Sequence, residues 1–430
     1  MKSSVLRIRI PTMLTYLSVY GMKNQDFFPK QKIQTDIRRK LMKKGTAILL
    51  CTSMMLLAAG CADNASSTAN PDTESVNSSQ ESSSDINSVI SSEESSETTS
   101  VDSTDESSVT TSAASAEESS ESKPVTASED GFKVDGTRLL DPNGNEFIMR
   151  GINHAHTWYL KEDTTAIKAI ADTGANTVRI VCSDGQQWTK DSREMLETVI
   201  DLCIDNEMIA VVEVHDATGK DDISALRHAT DYWIEMKDVL IGKEQYVILN
   251  IANEWAGSWD GALWRDGYVE AIPKLREAGI KNTLLVDAGG WAQYAKSIHD
   301  YGEEVFNSDP DKNTMFAVHM YGTAGKNSQT IEYNLGNVTD KGLCVIVGEF
   351  GYNHTDGDVD EDYIMEYCQN NGIGYLGWSW KGNSGGVEYL DIANAWDGSV
   401  LSSDWGEKLI NGENGIRKTS VKCSIFTAEQ

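Results

Sequence analysis

Cysteine never occurs in this 430-residue chain at the two-residue separation used by zinc ribbons and dithiol redox sites. Of seven cysteines, two precede residue 62 and five follow it: Cys182, Cys203, Cys344, Cys368 and Cys423. An odd set without paired spacing is expected to be buried apolar thiols, not a disulfide framework or a zinc site; a Cys182–Cys203 bridge is the one pairing left open. Glycine-rich phosphate loops are missing, so nucleotide chemistry is not indicated. Positive charge is short as well, with 37 Lys and Arg against 66 Asp and Glu and a net charge of −29. Residues 1–61 carry +9, residues 62–130 carry −15 and residues 131–430 carry −23. Such an acidic body argues against nucleic acid and anionic membrane surfaces as partners. It suits a soluble extracellular protein acting on a neutral substrate.

The apolar run from Thr46 to Ala59 is too short for a comfortable membrane-spanning helix. It follows Met42-Lys-Lys-Gly and ends at Gly60-Cys61, the layout of a signal peptide with its charged start, apolar middle and small-residue end. The segment Leu56-Leu-Ala-Ala-Gly-Cys61 resembles a bacterial lipoprotein box, with Ala58 where Leu is commonest. Residues 42–61 are therefore expected to direct export and Cys61 to carry lipid, an ordinary secretory signal being the alternative. Residues 1–41 fit neither a signal nor a domain, and Met42 is the expected initiator. From 62 to 130 there is no aromatic residue, and Ser, Thr, Glu and Asp dominate. Such a segment cannot bury enough apolar surface to offset ordering entropy, so it is expected to be a disordered spacer.

Residues 131–430 alternate apolar strand-like runs with amphipathic helical ones. The runs are Glu146–Ile152, Asn176–Val181, Met208–His215, Val247–Glu254, Thr283–Ala288, Met315–Tyr321, Cys344–Phe350 and Gly374–Trp380. Helical patterns between them include 191–206, 223–240, 261–278 and 361–371. Eight strands alternating with helices imply parallel pairing and a closed (β/α)8 TIM barrel in a single domain. Phe132–Val134 and Thr137–Leu140 read as a hairpin capping the barrel's bottom.

Each run ends in hydrogen-bonding or aromatic groups, which in this fold converge on one face. Glu254 and Glu349 close the fourth and seventh runs. An apolar strand has no structural reason to finish on a carboxylate, which is costly to bury unpaired. Two carboxylates across a barrel mouth fit glycoside hydrolysis, one as acid/base and one as nucleophile. The acid needs partial burial beside apolar groups to stay protonated. The nucleophile needs a cation, and Arg179 is the obvious one, with Tyr321 as a further donor. Asn253 is placed for a sugar 2-hydroxyl, and His215 and His319 are placed to orient these groups. Trp158, Trp255, Trp291, Trp378 and Trp380 lie at or just after strand ends, where aromatic planes would stack on sugar rings; some of them are core. Trp378 is the expected floor of the central sugar site, with Trp380 on the same face as the alternative. His154 and His156, with His215 and Asp216, invite a metal reading, but it leaves both Glu unexplained. The two histidines are expected instead to be substrate or structural hydrogen-bonding groups, with no metal and no cofactor.

From about Gly136 to Phe426 the chain resembles glycoside hydrolase family 5, and within it the bacterial β-mannanases. The stretches that carry the likeness are 150–160 (RGINHAHTWYL), 173–182 (TGANTVRIVC), 248–256 (ILNIANEWA), 317–322 (AVHMYG), 347–352 (VGEFGY) and 377–387 (GWSWKGNSGGV). The departures are small: Ala155 where similar proteins often carry Gly, and Gly322-Thr-Ala after the Tyr. The resemblance implies a retaining double displacement with Glu254 as acid/base and Glu349 as nucleophile. It places Arg179, His215, Asn253, His319, Tyr321 and Trp378 around the central sugar. The implied reaction is endo-cleavage of β-1,4-mannan by a monomer, secreted or held at a bacterial surface by its lipid alone. An endoglucanase of the same clan, or a non-catalytic glycan-binding lipoprotein, are the alternatives.

Overall fold

The computed structural model describes residues 131–427; the expectations for 1–41, for 42–61 with Cys61, and for 62–130 lie outside the described residues. A hairpin of β1 (Lys133–Asp135) and β2 (Arg138–Leu140) turns at Gly136, whose φ of 63° favours glycine. Seven parallel strands of an eight-stranded barrel then follow: β3 (Arg150–His154), β4 (Thr177–Cys182), β5 (Ile209–Val214), β6 (Val247–Asn250), β7 (Leu284–Asp287), β8 (Thr314–Met320) and β9 (Val345–Phe350). After a small hairpin, β10 (Asn353–His354) and β11 (Gly357–Asp358), β12 (Gly374–Gly377) pairs with both β9 and β3 and closes the barrel. Every residue of these eight strands is buried, because side chains fill one face and helices cover the other.

The helices include α1 (Asp163–Asp172), α2 (Arg193–Asp205), α3 (Ile223–Glu235), α4 (Lys237–Leu240), α5 (Gly261–Glu277), α6 (Lys296–Ser308), α7 (Ser328–Thr339) and α8 (Glu361–Asn370). The helical pattern over 223–240 is broken at Met236, whose ψ of 2° leaves the α-helical range. No helix among the described residues is long and apolar enough to cross a membrane.

Three barrel strands fall three or four residues short of their apolar runs at one end. β6 stops at Asn250 and β12 at Gly377, so Glu254 and Trp380 stand beyond the sheet. β3 begins only at Arg150, because 146–149 run along the hairpin, where Glu146 bridges Leu140. That hairpin does close the bottom. Phe132, Leu139, Phe147 and Met149 pack onto Ile209, Val211, Ile248, Leu285, Met315 and Ile346 of the barrel interior. The Phe132 carbonyl accepts from Thr283 Oγ1 and Asn313 Nδ2, both at 2.9 Å.

All five cysteines among the described residues are free and buried. The 182–203 bridge does not form: Cys182 Sγ turns to the Ile180 carbonyl and Cys203 Sγ to that of Val199.

Candidate active site

Strand alternation and one irregularity place the polar groups. Asn153, Arg179, Glu213, Asn250, Asp287 and His319 all point inward near the strands' C-terminal ends, above the apolar plug. β9 would turn Glu349 out of the barrel if it kept its alternation. Its register slips by one residue against both β8 and β12 at Gly348–Glu349, a β-bulge that sends both residues inward. Glycine fits there because a Cβ on residue 348 would come within 3.0 Å of Ala317 Cβ and His319 Nε2.

Arg179 is fully buried and organises the floor. Its Nη1 donates to Glu349 Oε1 at 2.8 Å and to Asn153 Oδ1 at 3.0 Å. Nη2 donates to Asn253 Oδ1 at 2.7 Å and Asn250 Oδ1 at 2.8 Å, and Nε also reaches Asn250. Burial opposes its charge, but Glu213, Glu349 and Asp287 outweigh that and keep the guanidinium ionised. Tyr321 donates its hydroxyl to Glu349 Oε2 at 2.8 Å. Each oxygen of Glu349 therefore has a donor, as sequence reasoning expected.

Glu254 sits four residues beyond β6 with φ of 46°, a backbone conformation uncommon for a non-glycine residue. Its Oε1 lies 2.9 Å from His319 Nδ1, and among the described residues no Lys or Arg pairs with it. Burial, then the Glu349 and Asp287 charges, push its carboxyl well above the ordinary range. Burial raises Glu349 less, to about 7, because Arg179 and His215 oppose it. Each of these two carboxyls and His319 has a donor atom within 4.8 Å of the others, so the carboxylate oxygens stand that close at least once. Both Glu349 oxygens are already taken by Arg179 and Tyr321. An approach this close fits the ~5–5.5 Å carboxyl separation of retaining glycosidases better than the ~6.5–9.5 Å of inverting ones, which leaves room for a water between the groups.

These carboxyls line an open cavity of about 480 Å³ with His215, Asn253, Trp291, Tyr321 and Trp378. A bigger hollow, about 870 Å³, lies at the opposite end beside Phe132 and Asn313, away from these groups. His215 Nδ1 is 2.8 Å from Glu213, whose charge raises the imidazole's pKa against the opposing effect of burial. Its ring stacks on Trp378 with centroids 5.6 Å apart. Trp158 meets the edge of the same imidazole at 5.3 Å.

Two of the expected aromatic walls are core instead. Trp255 is fully buried: after the turn at Glu254 it points back onto α5, so close to Gly267 that a Cβ there would lie 2.2 Å from the indole. Trp380 is likewise buried, donating Nε1 to the Trp396 carbonyl, because β12 has ended and its alternation no longer applies. His154 and His156 do not enter the cavity. Nε2 of His154 and Nδ1 of His156 grip the two oxygens of Asp163, at 2.9 and 2.8 Å, tying the loop after β3 to the start of α1. Both are thus engaged in hydrogen bonds within the fold.

Sequence reasoning missed Trp259, Trp188 and the loop 354–356. Trp259 is 57% exposed on the cavity rim, tilted against Tyr294 with ring centroids 4.8 Å apart. Trp188 packs against Trp158 and His215. His354 lies over Tyr321 with ring centroids 4.4 Å apart, and Asp356 accepts from the Gly322 and Thr323 amides. Trp188 and Trp259 lie well out along the loops after β4 and β6, beyond the strand ends themselves, so only a scan of loop tryptophans raises them.

Barrel, bulge and paired carboxyls together define a glycosidase-type site, and comparison with known proteins agrees. The family model for cellulase (glycosyl hydrolase family 5) matches residues 140–384, and the chain belongs to that family. A mannan endo-1,4-beta-mannosidase of Salipaludibacillus agaradhaerens is 57% identical over 297 residues, covering 69% of this chain and 96% of that protein. A beta-mannanase structure from Thermomonospora fusca is 44% identical with a TM-score of 0.66, covering 69% of this chain and 99% of its own; the same enzyme is also solved with mannohexaose. Endoglucanase 5 of Pectobacterium carotovorum subsp. carotovorum is 25% identical over 261 residues, covering 57% of this chain and 49% of that protein.

Proposed function

We propose that the chain is an endo-acting, retaining β-1,4-mannanase. The observation that carries this is the unequal environment of two adjacent carboxyls, one on a guanidinium and a phenol, the other with no cation. Glu349 is the nucleophile: Arg179 and Tyr321 favour its ionised form and aim both its oxygens. Glu254 is the acid/base, because burial and neighbouring negative charge keep its proton on. In the first step Glu349 attacks the anomeric carbon while Glu254 gives its proton to the departing glycosidic oxygen. In the second, Glu254 takes a proton from water, which attacks that carbon and releases Glu349. Trp378 forms the floor under the reacting sugar, with Asn253 at its 2-hydroxyl. Trp158 and Trp291 extend the aromatic walls on either side.

The relatives with 57% and 44% identity are named for mannan cleavage, which favours mannan over glucan. Reducing-sugar release from mannan, glucomannan and carboxymethylcellulose tests the choice. Release from the first two is expected, and activity confined to carboxymethylcellulose would overturn it. Nuclear magnetic resonance of fresh product from mannohexaose should show the β-anomer first; an initial α-anomer would refute retention. We also propose export through residues 42–61, with lipid on Cys61 and residues 62–130 as spacer. The charge pattern and the lipoprotein-box likeness support this. Cys61→Ala should move the enzyme from cells to the medium, and an unchanged distribution would overturn lipid anchoring.

A further inference from the structure

We infer that Asp287 is the positioning residue for the Glu254 carboxyl, gripping it through its backbone amide on one side and through His319 on the other. The inference rests on the acid/base reading of Glu254. Asp287 ends β7, fully buried, and is itself fixed. Its Oδ1 accepts from Asn250 Nδ2 at 3.0 Å, and its carbonyl accepts from Trp264 Nε1 at 2.7 Å. Its Oδ2 accepts the Glu254 amide at 3.0 Å. That contact spans the one turn that lets the chain leave β6 with a left-handed φ and still return Glu254 to the barrel axis. Strained backbone of this kind persists only when its surroundings hold it.

The second path runs through the imidazole. Asp287 Oδ2 faces His319 Nε2 at 3.5 Å, while Nδ1 of the same ring is 2.9 Å from Glu254 Oε1. Nε2 is buried with no hydrogen bond of its own, and the Asp287 carboxylate is the charge that faces it. That charge favours the ring orientation that presents Nδ1 to Glu254, and the ring in turn sets the Glu254 carboxyl. Burial, with Arg179 and His215 nearby, keeps His319 neutral, so it holds Glu254 without neutralising it. One oxygen thus fixes both ends of the acid residue. This resembles the orienting carboxylate of catalytic triads, which also works at one remove.

The groups whose charges reach Glu254 are Glu349 on β9, Asp287 on β7, Arg179 on β4 and Glu213 on β5, with neutral His319 on β8 in contact. Replacing Asp287 by Asn removes one of the two strongest negative neighbours. The alkaline limb of kcat/KM, which reports loss of the Glu254 proton, should then move to lower pH.

Leaving-group dependence separates positioning from general damage. Mannohexaose needs its departing oxygen protonated, whereas 2,4-dinitrophenyl β-mannobioside does not. Asp287→Asn should lower kcat/KM on mannohexaose by roughly 10- to 100-fold, within the range of general acid catalysis, and on the aryl substrate by less than about threefold. Asp287→Glu keeps the charge opposite Arg179 but displaces the carboxylate, and serves if Asp287→Asn is insoluble. It should show the same split between substrates with the alkaline limb unmoved. Equal losses on both substrates, or an unmoved alkaline limb in Asp287→Asn, would overturn the inference. A Glu254→Ala enzyme without leaving-group dependence would instead overturn the acid/base reading itself.

Discussion

Replacing Glu349 by Gln should abolish hydrolysis and make the folded protein more stable, and the gain should depend on pH. Burial lifts this carboxyl from 4.5 to about 7. At about 1.4 kcal/mol for each pH unit, ionising it in the folded chain costs roughly 3 kcal/mol more than in the unfolded chain. The folded state binds the proton more tightly, so stability contributed by this group is complete below pH 4.5 and is lost as pH rises through 7. Gln keeps the shape and can still accept from Arg179 while never ionising. Arg179 is not left alone, since Asp287 at 3.5 Å and Glu213 at 3.6 Å remain beside it. The variant and the parent should therefore differ little at pH 4.5, and the variant should be the more stable by about 2–3 kcal/mol at pH 8. For a domain of about 300 residues that is a rise in Tm of roughly 3–5 °C. Calorimetry of both proteins from pH 4.5 to 8 reads the difference directly. A stability difference that stays flat across this range, or a variant that melts earlier at pH 8, would refute the reasoning.

Tyr321→Phe removes a donor that favours ionised Glu349, so the acid limb of kcat/KM, which follows ionisation of that carboxyl, should move upward; an unmoved limb would argue that Arg179 alone controls it. Trp378→Ala should weaken cleavage of mannohexaose by at least about tenfold with little change in Tm. Trp255→Ala should instead destabilise by about 3–5 kcal/mol, since it empties a fully buried site, and thermal melts beside activity assays tell the two apart. Gly348→Ala should cut kcat sharply with KM less affected, because the added methyl meets His319 and Ala317 at 3.0 Å; wild-type kcat would show that the bulge absorbs it.

What the sequence disclosed and what it hid divide along a physical line. Periodic apolar burial announced all eight strands, since each is covered on both faces and reads as an unbroken apolar run. The same signal overran the ends of β6 and β12, because the chain stays buried after the sheet hydrogen bonds stop. That is why Trp255 and Trp380 are not cavity walls: a place at or just after a strand end does not fix a side chain's direction once a left-handed turn at Glu254, or the end of β12, has intervened. Glu349 looks like the simple opposite, a correct placement by alternation. It is not, because strict alternation from Ile346 puts Gly348 inward and Glu349 outward, and only the bulge brings the carboxylate to Arg179. Its place at the end of an apolar run marks that residue in the sequence, although strict alternation would turn it outward. Both proposed catalytic carboxyls thus stand at departures from regular strand geometry, one a positive φ and one a bulge. A regular strand end offers its inward carboxylates fixed spacings set by the barrel. Two local irregularities, each held by buried partners, allow oxygens from β6 and β9 to approach within 4.8 Å, with Arg179 on only one of them. The asymmetry that separates acid from nucleophile is therefore written in backbone irregularities, which residue types alone do not announce.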